Sequence, residues 1–137
     1  MKRLKSESGF TMVELIIVVA IMGIIGAVLV PQFSRTTQKA RITTDISSVK
    51  AIQRQIDRYK AEFGNYPGTT AEAIMEALVD KKYVDSMYKT ADNKLRVETP
   101  GAEMIFDTAS HRVKLKVSEA EYNLYLGEVE PLEWLMK

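Results

Sequence analysis

The residues best able to do chemistry lie near one end of the chain. Gly9 is followed directly by the apolar run Phe10–Pro31, and a single carboxylate, Glu14, sits inside that run. A charged carboxylate is costly in lipid, so Glu14 marks either a position near the interface or a partner of opposite charge. Gly9 closes a basic, polar octapeptide and has the place of a processing site. A secretory signal has a shorter apolar core and puts its small-residue cleavage site after that core. Here the order is reversed, so a cut at Gly9 would leave the apolar segment on the mature chain, as an anchor or assembly element requires.

Elsewhere the chemistry is thin. His111 is the only histidine and cysteine is absent, so a Ser-His-Asp triad, a histidine metal site, a thiolate site and disulfides all lack partners. His111 reads as a turn residue between strands. Asp80, Asp85, Asp92, Asn93 and Asp107 offer oxygen ligands, but without the spacing of an EF-hand. Solvated loops are their plainer reading. No phosphate-binding glycine loop, activated nucleophile or paired carboxylate stands out, so neither catalytic residues nor metal ligands are expected.

The elements that position the N-terminal residues follow from the pattern. Val13–Val30 is a stretch of 18 residues, all apolar or Gly except Glu14. At ~1.5 Å per residue, Thr11–Val30 spans roughly 30 Å, about one bilayer core. Lys2, Arg3 and Lys5 precede the run and Arg35, Lys39 and Arg41 follow it, so loop charge alone leaves its orientation open. Gly23 and Gly26 are either small residues in lipid or points of close helix approach and easy melting. Pro31 removes one helical hydrogen bond and predicts a kink. Beyond it, Phe33, Ile42, Ile46, Val49, Ile52, Ile56, Tyr59 and Phe63 recur at spacings of three and four, predicting a helix from Thr11 to Phe63.

Gly9-Phe10-Thr11-Met12-Val13-Glu14-Leu15, followed by an apolar stretch ending at Pro31, resembles the class III leader and N-terminal helix of type IV pilins and type II secretion pseudopilins. Gly64-Asn65-Tyr66-Pro67 is similar to a turn common after that helix. The resemblance implies a prepilin peptidase cutting between Gly9 and Phe10 and N-methylation of Phe10. It also implies that Glu14 pairs with the N-terminal amine of a neighbouring subunit, and that the assembled helix unwinds near Pro31. Calcium, which major pseudopilins often hold in their C-terminal loop region, finds no matching ligand spacing in this Glu-rich C-terminus, so no cofactor is assigned.

The head is expected to be small. Thr69 with Glu72 predicts a capping box opening a helix over Thr70–Val79, with Ala71, Ile74, Leu78 and Val79 inward. Lys81–Asn93 reads as a polar loop anchored by Tyr83, Val84 and Tyr88. Period-two alternation at Leu95 and Val97, at Met104 and Phe106, and at Val113, Leu115 and Val117 predicts a three-stranded antiparallel meander. Tyr122–Leu126 is a candidate fourth strand, with Trp134 and Leu135 closing the tail.

These elements make an α+β pilin fold: leader 1–9, membrane-spanning and filament-core helix 10–31, amphipathic stem 32–63, head 64–137. Charge is uneven along it. Residues 32–60 carry seven Lys/Arg against two Asp, a net of +5, while 117–137 carry five Glu against one Lys, a net of −4. The basic stem (Arg35, Lys39, Arg41, Lys50, Arg54, Arg58, Lys60) and the acidic tail (Glu119, Glu121, Glu128, Glu130, Glu133) suit contacts between staggered subunits, or are two solvated faces. Without an aromatic stacking platform the stem is not expected to bind nucleic acid.

The expected function is that of a type IV pilin, made as a prepilin in the inner membrane and assembled into a surface or periplasmic filament. Its expected partners are like subunits, the prepilin peptidase, the inner-membrane assembly platform, and lipid before assembly. A type II secretion pseudopilin is the alternative, and a single-pass anchored binding domain that never polymerises is the rival of another class.

Overall fold

A computed structural model describes residues 9–125 and 134–137. The chain divides between Thr37 and Gln38 into two compact units. One helix, α1 (Met12–Phe63), contributes to both. In the first unit it is apolar on all sides, with side chains from Phe10 to Val30 exposed. A helix apolar all round belongs in lipid or within a larger assembly.

In the second unit α1 is amphipathic. Ile42, Ile46, Val49, Ile52 and Ile56 are buried at spacings of three and four residues and form one side of the core. Phe33 and Phe63, expected on the same face, are exposed. Helix α2 (Ala71–Asp80) buries Ala71, Ile74, Met75 and Leu78 against this core, leaving Val79 half-buried. The expected Thr69–Glu72 capping box does not form. Thr70 takes the capping position, its side chain accepting from Ala73 N at 3.2 Å, and Glu72 stays exposed in the first turn. Gly68 packs tightly here, since a Cβ on it would come within 3.0 Å of Ala73 Cβ.

Strands β1 (Glu103–Asp107) and β2 (Arg112–Lys116) pair antiparallel, with Met104 opposite Leu115 and Phe106 opposite Val113. Asp107 holds the connecting turn by accepting from Ala109 N at 3.0 Å and Ser110 Oγ at 2.6 Å. The third strand is not the one expected. It is β3 (Leu135–Met136), parallel to β2, so the sheet order is β1-β2-β3.

A parallel neighbour needs a crossover, which a hairpin cannot supply. Of the candidate strand Tyr122–Leu126, Leu126 lies outside the described residues, and the part up to Tyr125 falls in α3 (Glu119–Tyr125) instead. Its start is a reciprocal capping box. Ser118 Oγ donates to Glu121 Oε2 at 2.9 Å, and Glu121 N donates to Ser118 Oγ at 3.3 Å.

Leu95 and Val97 do not form a sheet strand either, because their stretch spends its backbone groups elsewhere. Thr90 N donates to Lys94 O and Arg96 N to Tyr88 O, each at 2.8 Å, which folds Leu95 back onto Lys89 as one isolated bridge. Tyr88, expected as an anchor, faces solvent, while Tyr83 and Val84 are half-buried. The amides of Glu98 and Thr99 belong to α1. Asp45, only 1% exposed, accepts from Glu98 N and from Thr99 N, one on each carboxylate oxygen, both at 2.8 Å.

About two turns further along α1, Gln53 makes the second stitch. Its Oε1 accepts from Val113 N at 2.9 Å and its Nε2 donates to His111 O at 3.3 Å. Strand β3 pairs only with Leu115 and Lys116, so Gln53 serves an amide that β3 does not reach. His111 lies in the β1–β2 turn, as expected, and stacks on Tyr66 at 4.3 Å, tying the Gly64–Pro67 turn to the sheet.

Asp45→Ala would leave the Glu98 and Thr99 amides without their acceptor, a cost of about 1–3 kcal/mol for each group held from water. Thermal unfolding should show a large drop for Asp45→Ala and a smaller one for Asp45→Asn, which keeps one acceptor oxygen. Equal melting of all three chains would refute the stitch.

Tyr83 OH donates to the Glu62 carboxylate, and this bond holds its phenol above the usual value, helped by desolvation and the Glu62 charge. Its stabilising contribution is present below the unfolded phenol value near 10 and is lost as pH rises through the higher folded value. In an alkaline absorbance titration, the step missing from Tyr83→Phe should be the late one, and Glu62→Gln should move it earlier.

Candidate processing and assembly site

The N-terminal turn is built on a threonine and a glutamate three residues apart. Thr11 O accepts the first intrahelical bond, from Leu15 N at 3.2 Å, which makes Thr11 the capping residue of α1. Glu14 Oε2 accepts from both Thr11 N and Thr11 Oγ1 at 2.8 Å, while Glu14 N donates to Thr11 Oγ1 at 3.2 Å. This reciprocal capping box was not anticipated, although the Thr-x-x-Glu spacing was legible. The carboxylate also lies at the positive end of the helix dipole.

The box changes what Glu14 needs. The sequence suggests an orphan charge, whereas the structure gives one of its oxygens two local donors. Both bonds use Oε2, so Oε1 remains able to accept from a second group. The site is open, with Phe10 85% exposed and Gly9 exposed beside it. No Cβ-sized obstacle lies within 4 Å of Gly9, Gly23 or Gly26.

Gly23, Gly26 and Pro31 all lie inside α1, which runs through them without interruption. Residues 1–8, with most of the leader, fall outside the described residues, as do Glu128, Glu130 and Glu133 of the acidic tail. Of the remaining tail acids, Glu119 pairs with Lys137 at 3.3 Å and Glu121 is held in its capping box. Among the described residues, no group of three or more His, Cys, Asp or Glu side chains is placed to hold a metal ion.

α1 is the one described helix long and apolar enough to cross a membrane. Residues 4–30 match the family described as the prokaryotic N-terminal methylation motif. The chain belongs to the type IV pilin and type II secretion pseudopilin family, a family of structural subunits, and is membrane-anchored through this segment.

It is similar to the type II secretion system core protein G of Pseudomonas aeruginosa, 39% identical over 77 residues, which is 56% of this chain and 53% of the relative. It is 32% identical over 96 residues to the core protein G of Klebsiella michiganensis, covering 69% and 66% of the two chains. A fimbrial protein of Neisseria meningitidis serogroup B is 32% identical over 83 residues, or 59% of this chain and 49% of that one. The chain thus spans between about half and two thirds of the length of these relatives. No solved structure gives a significant match.

Removing the Thr11 hydroxyl should loosen the first turn by about 1 kcal/mol, the usual weight of a cap. In detergent, amide exchange at Glu14 and Leu15 should therefore quicken roughly fivefold in Thr11→Ala and stay near the parent rate in Thr11→Ser. Unchanged exchange in Thr11→Ala would remove the box from the account.

Proposed function

We propose that this chain is the structural subunit of a type IV-like filament. It is held in the inner membrane as a prepilin, cut between Gly9 and Phe10, methylated at Phe10, and polymerised through its N-terminal helix. The observation that carries this reading is an apolar helix with its side chains bare on every side and a single carboxylate in its first turn. Lipid covers such a surface before assembly, and the same helices of like subunits cover it afterwards.

The chemistry of the cut follows from the capping box. Cleavage removes the basic leader and creates an amine at Phe10. Oε1 of Glu14 accepts that amine from a neighbouring subunit, and the ion pair offsets the desolvation of both charges in a dry bundle. The pair also sets the axial register between subunits. Within α1, the backbone freedom of Gly23 and Gly26 and the missing N–H of Pro31 make this stretch the easiest to unwind during packing. The prepilin peptidase and an inner-membrane assembly platform are the further partners this route needs.

Of the two family functions, the pseudopilin of a type II secretion system is favoured. The match to the core protein G of Klebsiella michiganensis runs over 96 residues, against 83 for the fimbrial relative.

Intact-mass measurement should find a mature chain that begins at Phe10 and carries one added methyl group. Glu14→Ala should still be cut and remain in the membrane, yet enter filaments roughly a hundredfold less, as expected for about 3 kcal/mol lost when one side of a buried ion pair is removed. Full function of that variant with no filament in the parent strain would instead select the anchored domain that never polymerises.

A further inference from the structure

The second unit carries two charged edges of opposite sign and the same pitch. On α2, Glu72, Glu76 and Asp80 follow one another at four-residue spacing and all three are exposed. They line one edge of the helix over about 12 Å. None of them has an ion pair among the described residues.

On α1, Lys50 and Arg54 share that four-residue spacing and border an open cleft of about 440 Å³, whose far wall includes Arg112 and Trp134. Lys50 Nζ stands 5.9 Å and the Arg112 guanidinium 5.7 Å from the centre of the Trp134 ring. The indole face thus steadies two cations without neutralising them. The lining holds one carboxylate, Asp57, and it already accepts from Gln53 Nε2 at 3.0 Å. The cleft therefore presents three cations to a single engaged anion.

We propose that the acidic edge of α2 from a second copy of this chain docks in the Lys50–Arg54–Arg112 cleft, with Glu76 at the centre of the contact. The inference rests on the filament reading and names a contact from the head of one copy to the stem and sheet of the next that the apolar N-terminal segments do not supply. The two edges are different patches on one chain, so the contact is head-to-tail and continues from copy to copy instead of closing on itself as a dimer. The equal pitch lets successive carboxylates on one helix meet successive cations on the other. Such charges set register and exclude wrong alignments, while the apolar helices supply most of the affinity. The acids involved differ from those composition suggests, because Glu119 and Glu121 are already engaged within their own chain.

The chain has no cysteine, so introduced ones report cleanly. Full-length Arg54→Cys/Glu76→Cys, produced with an assembly machinery and oxidised, should give a ladder of covalent multimers. Neither single variant should give dimers. Filaments that form without a ladder, or dimers from one single-cysteine variant, would overturn the contact.

If the double-cysteine chain forms no filaments, charge exchange decides. Glu76→Arg and Arg54→Glu should each lower filament yield roughly tenfold, and their combination should restore most of it. Absence of that rescue, or rescue of Arg54→Glu by Glu130→Lys instead, would overturn the proposal and in the second case hand the cleft to the chain's own acidic tail. Parent chains that never form filaments would fail the filament reading itself, a result these variants cannot mimic.

Discussion

Two polar side chains set into an apolar stripe decide how the head is laid on its helix. Asp45 and Gln53 occupy positions on α1 that Ile, Val or Leu could fill, and each faces backbone amides that no strand takes. Burying a carboxylate is tolerable when both oxygens receive N–H donors, and Asp45 receives one on each. Isoleucines flanking the two stitches give the burial energy, and the stitches give the placement. Hydrophobic contact by itself allows a small sheet to slide along a helix, whereas hydrogen bonds from fixed amides do not. The rest of the head follows: the segment after Leu95 is held off the sheet, and β2 is completed by Gln53 on the side where β3 stops short.

The N-terminal turn solves a related problem with the same chemistry. Thr11 and Glu14 satisfy one another, so the carboxylate can sit at the start of an apolar helix before any neighbour arrives. On the filament reading proposed above, a subunit that passes from lipid to polymer needs a charge that is bearable in the first setting and still able to bond in the second. Double acceptance on one oxygen leaves the other for that purpose. Among the described residues, three helices begin at a Ser or Thr cap, and two of those caps are reciprocal boxes.

Much of this was legible. The long helix, the apolar first stretch, the inward isoleucines and the β1–β2 hairpin follow from period and composition, because each is a local pattern repeated over several residues. Misreadings cluster where neighbours compete for one place. Thr69 and Thr70 are adjacent caps, and the second takes the position. Leu95 and Val97 alternate as a strand does, but Asp45 and a tight turn claim the amides around them. Tyr122 looks like a strand residue, yet the Ser118–Glu121 box opens a helix there, and the Ser-x-x-Glu spacing is its signal in the sequence. Asp45 and Gln53 gave no warning, since a polar residue within a helical stripe reads as a break in the pattern until its partner, 53 to 60 residues away, is brought beside it.

The sequence by itself determined what depends on neighbours along the chain: a membrane-length apolar helix, a carboxylate near its start, a small residue before it, and an amphipathic continuation. Side chains three and four residues apart share a helix face wherever the helix is placed, so such features need no fold to be read. Only the tertiary structure decided the partners of Asp45 and Gln53, the parallel β3, and which acids and cations remain free to face another subunit. Those outcomes depend on distances between residues remote in sequence, and charge has to be located in space before it can be matched.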